Sequence, residues 1–227
     1  VKGRFPPGAT KGIVLLHGRG GSAADILTLL DHAALPDVAA AAPEAPGNSW
    51  WPTSFLAPAA QMEPFVAAGL AAVRDGVAAL RARGLSRGAI WLAGFSQGAC
   101  LALEAFAREG EGLAGVFGFS GGLVGLTDQC PGLPALLGHA DKKLDYPGKR
   151  TGGVWISVHQ RDPHIPLSRV EDSAAAFHAM GVEIRMQVYP GAGHGVMRED
   201  IFALRQALNG QGAPPPPISS GSAFPAA

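Results

Sequence analysis

The chain has 227 residues, enough for one domain with a sizeable core. Hydrophobic residues make up 47% and charged residues 16%, and the 18 basic side chains balance 18 acidic ones, which offers no attraction to nucleic acid or to an anionic membrane surface. The two cysteines, Cys100 in an apolar run and Cys130 in a Pro/Gly-rich loop, provide no disulfide framework and no metal-ligand spacing.

The opening VKGRFPPGAT lacks a charged-then-apolar leader, and no apolar run reaches membrane-spanning length. A cytoplasmic setting without stable membrane insertion is therefore expected. GIVLLH (12–17) reads as a buried strand, and GSAADILTLLDHAAL after it as a helix, with Ser22 and Asp25 spaced as a capping box. VAAAAP (38–43) is a second short strand ended by proline. A loop containing NSWWPTSF leads to an amphipathic helix over about 61–83. GAIWLAGF forms the third strand and QGACLALEAFAREG its helix; AGVFGFS (114–120) is the fourth.

Residues 121–151 form a long Gly- and Pro-rich connection with a short helix near LPALLG, of a length suited to a lid or pocket wall. GVWISVH (153–159) is the fifth strand, LSRVEDSAAAFHAMG a helix, VEIRMQVYP the sixth strand, and REDIFALRQALNG a last helix closed by glycine. A single domain is thus expected over 1–210. The remainder, 211–227, is rich in Pro, Gly and Ser and is expected to be extended or mobile. Strands joined by helical crossovers imply a doubly wound, mostly parallel α/β sheet with helices on both faces, where function collects at the carboxyl ends of the strands.

Two segments carry Gly-x-Ser-x-Gly, centred on Ser96 and on Ser120. In so glycine-rich a chain the pattern alone is weak, and context decides. A nucleophile elbow needs a strand before the serine and a helix directly after it. Ser96 has both. The segment GGLVGLTDQCPG after Ser120 cannot hold a helix, so Ser120 reads as a tight turn whose hydroxyl bonds nearby backbone.

A serine hydroxyl needs a base, and the base needs a carboxylate to fix its tautomer. In this type of fold the order is Ser, Asp or Glu, then His. SVHQRDPHIP supplies Asp162 and YPGAGHGVM supplies His194, each after a strand. Asp162, next to Pro163, could instead cap the helix from Leu167. His159 and His164 compete with His194, and with Asp162 they form His-x-x-Asp-x-His, but the lack of a second carboxylate or cysteine nearby argues against a metal. Oxyanion donors are expected from the backbone N–H of Gln97 and, in LHGRGGS, from that of Arg19. This glycine-rich loop matches neither dinucleotide- nor phosphate-binding patterns.

LHGRGGS, GFSQG, RDPHIP and YPGAGHG, in this order, resemble the phospholipase/carboxylesterase family of α/β-hydrolases, which includes acyl-protein thioesterases. The resemblance runs from about residue 12 to 208. It implies an α/β-hydrolase fold and cofactor-free hydrolysis of carboxylic esters or thioesters. It also implies Ser96, Asp162 and His194 as a triad with Arg19 and Gln97 as oxyanion donors. NSWWP is similar to a family segment near the substrate, so Trp50, Trp51 and Phe55 are expected in an apolar acyl pocket, unless they are ordinary core. The sequence departs from the family where Ala99 and Cys100 follow Gly98. The expected activity is a serine carboxylesterase acting on small or medium acyl esters as its small-molecule partners, with a homodimer left open. A thioesterase or lysophospholipase with the same triad is the enzymatic alternative, and a non-catalytic binding protein on a hydrolase scaffold is the alternative of another class.

Overall fold

The fold was obtained as a computed structural model, which describes residues 1–130, 132–148 and 150–210; the expected C-terminal tail at 211–227 lies outside the described residues. Among the described residues seven strands form one sheet: β1 (Lys2–Arg4), β2 (Gly12–Leu16), β3 (Ala39–Ala42), β4 (Ile90–Phe95), β5 (Gly115–Phe119), β6 (Gly153–Arg161) and β7 (Ile184–Ala192). Their order is β1-β3-β2-β4-β5-β6-β7, and all neighbours pair in parallel except β1 with β3. The six expected strands are therefore joined by a seventh. It is a three-residue antiparallel edge too short to leave a periodic signature.

The helices are α1 (Ala23–Leu27), α2 (Leu29–His32), α3 (Ala59–Arg81), α4 (Gln97–Glu109), α5 (Leu133–Leu137), α6 (Leu167–Ala179) and α7 (Arg198–Asn209). The single helix expected after β2 is broken at Thr28, whose hydroxyl donates back to the Asp25 carbonyl at 2.6 Å. Its start behaves as the sequence reads, with Ser22 and Asp25 capping each other.

Strand alternation divides the interior into two layers. Along β2, Val14 and Leu16 point to one face and Ile13 and Leu15 to the other. The first face meets α3, α4 and α6 through Val66, Leu70, Leu101, Phe106, Val170 and Phe177. The second meets α1, α2 and α7 through Ile26, Leu30, Leu204 and Leu208. Because both faces are covered, the central strands tolerate no polar side, which is why they read as continuous apolar runs.

The connection between β5 and β6 is fixed by charge rather than by regular structure. Glu104 on α4 is fully buried; its Oε1 accepts from Arg108 Nε and Lys142 Nζ, both at 2.7 Å. Its Oε2 accepts from Val124 N–H at 3.1 Å and the Tyr146 hydroxyl at 3.0 Å. Arg169 on α6 donates to the Leu123 carbonyl, while Arg150 donates to the Phe106 and Ala107 carbonyls at the end of α4. One carboxylate thus ties together three points of the connection.

Burial alone would raise the Glu104 carboxyl, but Lys142 and Arg108 outweigh it and hold it below the usual carboxylate range. A depressed folded value means that the stabilisation is complete above the unfolded value and is lost as pH falls through the folded one. Glu104→Gln should cost about 3 kcal/mol in urea unfolding near pH 7, with the gap to wild type narrowing below about pH 4.

Candidate active site

The strand order reverses direction at β2 and β4: the chain builds outward through β3 on one side and through β5, β6 and β7 on the other. The loops leaving adjacent parallel strands at such a point diverge and open a crevice. β2 delivers His17-Gly18-Arg19 there, and β4 delivers Ser96.

Ser96 sits between β4 and α4 with φ 54° and ψ −119°, a backbone conformation strained for any side-chain-bearing residue. The flanking glycines permit it. A Cβ on Gly98 would run into the carbonyl oxygens of Leu16 and His17, and one on Gly94 into the Gly98 carbonyl. These obstacles are backbone and cannot rotate away. In the second Gly-x-Ser-x-Gly, a Cβ on Gly118 would meet only the Leu103 side chain, and one on Gly122 the Ser173 hydroxyl. The two motifs match as letters and differ as sterics.

His194, in the loop after β7, places Nε2 2.8 Å from Ser96 Oγ. Its Nδ1 faces Asp162, 2.8 Å from Oδ2 and 3.1 Å from Oδ1. The Asp162 side chain is 0% exposed, and Oδ1 also accepts from the His164 and Ile165 amides at 2.9 and 3.0 Å. Those bonds close its own loop, so Asp162 does not cap α6, which starts after Pro166. A register irregularity between His159 and Arg161 interrupts the β6–β7 ladder, which resumes with Arg161 opposite Ala192, just before Asp162. With Nδ1–H given to the carboxylate, the Nε2 lone pair is left for the serine proton.

The rival histidines take other places. His159 is buried against Tyr189, with ring centroids 5.4 Å apart. His164 meets the His194 ring edge-on at 4.8 Å and lines the cleft. Among the described residues no His, Cys, Asp and Glu side chains are grouped to hold a metal ion.

Gln97 opens α4, so its N–H is one of the first-turn amides without an intrahelical acceptor. The loop carrying Arg19 is held by bonds from Gly20 N–H to the Asn48 carbonyl and from Gly21 N–H to the Gly18 carbonyl, at 2.8 and 3.1 Å. His17 braces it from below: Nδ1–H donates to the Gly18 carbonyl at 2.8 Å, and Nε2 accepts from Ala45 N–H at 3.1 Å.

Two side-chain roles escaped the sequence reading. The Gln97 amide accepts from Trp50 N–H and donates to the Trp51 carbonyl, both at 2.8 Å, hanging the 49–53 segment from the elbow. The Arg19 guanidinium donates to the Pro52 and Thr53 carbonyls and so bridges the loop after β2 to the same segment. A glutamine directly after the serine of the elbow is the one available signal for the first role; nothing local signals the second.

The cleft has a volume of about 590 Å³, and its walls include Trp51, Phe55, Phe95, Ser96, Cys100 and His194. Trp50 is absent from this lining; its ring packs on His17 and its indole N–H donates to the His17 carbonyl at 2.9 Å. None of the described residues of the 121–151 connection lines the cleft. Burial pushes the Cys100 thiol up to about 12, so it stays protonated and borders the cleft as an apolar group. A larger surface concavity of about 760 Å³ lies between α2 and α7 and contains none of the three relay groups.

Comparison with known proteins agrees with this architecture. Among curated proteins, none matches the chain significantly. Among solved structures, a phospholipase/carboxylesterase from Dyadobacter fermentans shares 36% identity at a TM-score of 0.79, over 92% of this chain and 95% of the other. An esterase designated PE8 shares 25% identity at a TM-score of 0.70, over 92% and 99%. A Bacillus cereus carboxylesterase, at 15% identity, a TM-score of 0.65 and 92% coverage of both chains, shares the fold. The family model described as phospholipase/carboxylesterase matches residues 7–210, nearly all of the described chain. By that match, and by its seven-stranded sheet, the chain belongs to the phospholipase/carboxylesterase family of α/β-hydrolases, enzymes of the carboxylic ester hydrolase type.

Proposed function

We propose that this protein is a serine carboxylesterase that cleaves small or medium acyl esters through a covalent acyl-enzyme. The observation that carries the reading is the relay from Asp162 through His194 to Ser96, with Nε2 2.8 Å from Oγ. Ser96 Oγ attacks the acyl carbonyl carbon while its proton passes to His194 Nε2. The oxyanion that forms is met by the backbone N–H groups of Gln97, in the first turn of α4, and of Arg19, in the loop after β2. Collapse breaks the carbon–oxygen bond to the alcohol, which leaves with the proton from His194. Water then attacks the acyl-enzyme, gives its proton to His194, and the second collapse returns that proton to Ser96 and releases the carboxylic acid.

Cleft size supports the substrate class. A volume of about 590 Å³ suits a small or medium ester. Among the aromatic residues bordering the cleft, Phe95 is part-exposed and offers apolar surface for the acyl chain, while Trp51 and Phe55, 1% and 6% exposed, back the wall as core. Trp51 and Phe55 thus border the proposed substrate pocket as largely core residues, while Trp50 supports His17.

A serine-reactive phosphonate should label the wild type at Ser96. Ser96→Ala should abolish labelling and lower kcat by about 10⁵-fold or more. Absence of labelling in the purified wild type would remove the enzyme reading in favour of a binding role.

Asp162→Asn should lower kcat by about 10⁴-fold, because the amide no longer selects the tautomer with Nδ1–H. In the wild type, kcat/KM should fall on acidification, since a protonated imidazole cannot accept the serine proton. A kcat/KM that does not fall on acidification contradicts the assignment.

Matched oxygen esters and thioesters of graded acyl length should show higher kcat/KM for short and medium oxygen esters. A preference for thioesters or for long-chain lysophospholipids, read by product release, assigns the same relay to the other substrate class.

A further inference from the structure

The second Gly-x-Ser-x-Gly is the one motif that the proposed chemistry leaves unused. Ser120 follows β5 as Ser96 follows β4, and the two strands are in register at Phe95 and Phe119. Ser96 N–H donates to the Phe119 carbonyl at 2.9 Å, and Ser120 N–H to the Ser157 carbonyl at 2.8 Å. The sheet ladder thus extends one residue past its strands and fixes both serines. Both also have positive φ, 54° and 50°.

Ser120 differs in what its side chain does. The residue is 1% exposed and is absent from the cleft lining. Its hydroxyl donates to the Gly195 carbonyl at 3.2 Å. Gly195 immediately follows His194. The imidazole is thereby held from two sides: Asp162 grips the ring through Nδ1, and Ser120 grips the backbone beside it. Beyond these, Gly193 packs against the His159 ring and Met197 N–H donates to Asp200 Oδ2 at 2.8 Å. Around them, glycines flank His194 on both sides, the His194 ring meets Phe95 and His164 at 5.0 and 4.8 Å, and Val196 packs on the core layer that holds Ile13 and Leu15.

We propose that Ser120 is a positioning residue that tethers the His194 loop to β5 and so sets the reach from His194 Nε2 to Ser96 Oγ. Backbone preference does not account for the residue. A glycine would take a φ of 50° without strain, whereas serine there is strained by roughly 1–3 kcal/mol, and what serine adds is a donor. The tether acts where small displacements matter most, because proton transfer needs the base within hydrogen-bond reach of the hydroxyl. The inference rests on the proposed role of Ser96 and His194.

The test uses Ser120→Ala and Ser120→Gly, with a fluorophosphonate to titrate active sites and 4-nitrophenyl butyrate as substrate. Both variants lack the donor, but only glycine relieves the backbone strain. The expected result is labelling at Ser96 in both, kcat per titrated site reduced about tenfold in both, and KM within about twofold of wild type. Ser120→Gly should melt no lower than Ser120→Ala. A purely structural Ser120 would lower the titrated fraction or Tm while leaving kcat per site unchanged, and that outcome overturns the proposal. So does a wild-type kcat per site in Ser120→Gly alone. Wild-type protein that fails to label or turn over refutes the catalytic reading itself and takes this inference with it, whereas a labelled wild type with unaffected variants refutes the tether alone.

Discussion

Everything at the cleft hangs on a steric constraint between two pieces of main chain. The amino end of α4 crosses the end of β2 so closely that the backbone carbonyls of Leu16 and His17 occupy the space a Cβ at position 98 would need. The Gly98 carbonyl does the same to position 94. Between these points the chain can reverse only by giving Ser96 a positive φ, which lifts Oγ out of the sheet plane. The strain is local, and the surrounding close packing over-determines it. Of the 13 residues of α4, 11 are buried, so the helix cannot shift to relax the turn.

The fold was legible because both faces of the sheet are covered. Continuous apolar runs separated by helical periods locate six strands and imply their parallel order. The edge strand β1 was not legible, because three residues with Gly3 at the centre carry no pattern. Nor was the break at Thr28, where a hydroxyl competes for backbone locally. The capping box at Ser22 and Asp25 was readable because that chemistry is short-range and fixed by spacing.

At the site, Ser96, Asp162 and His194 could be named because each ends a strand, and strand ends converge in this topology. Side chains acting across the fold could not be named. Gln97 bonds the main chain 46 and 47 residues away, and Glu104 joins Val124, Lys142 and Tyr146 through one carboxylate. Such partners are set by tertiary geometry, and no spacing in the sequence encodes them. The aromatic pair shows the limit most clearly. Trp50 and Trp51 are neighbours with one composition, yet one ring packs on His17 while the other lines the cleft, since consecutive side chains in an extended segment face opposite ways.

The manner in which Gln97 holds the 49–53 segment has a further effect on what the enzyme can become. Its amide engages main-chain atoms of Trp50 and Trp51, and the Arg19 guanidinium likewise engages main-chain carbonyls of Pro52 and Thr53. The fastening is blind to side-chain identity at positions 51 to 53. Trp51 is held by core packing as well, but Thr53 is part-exposed in the cleft wall and can therefore exchange bulk or polarity while its scaffold stays anchored to the elbow, which lets selectivity drift across generations without dismantling what lies beneath it.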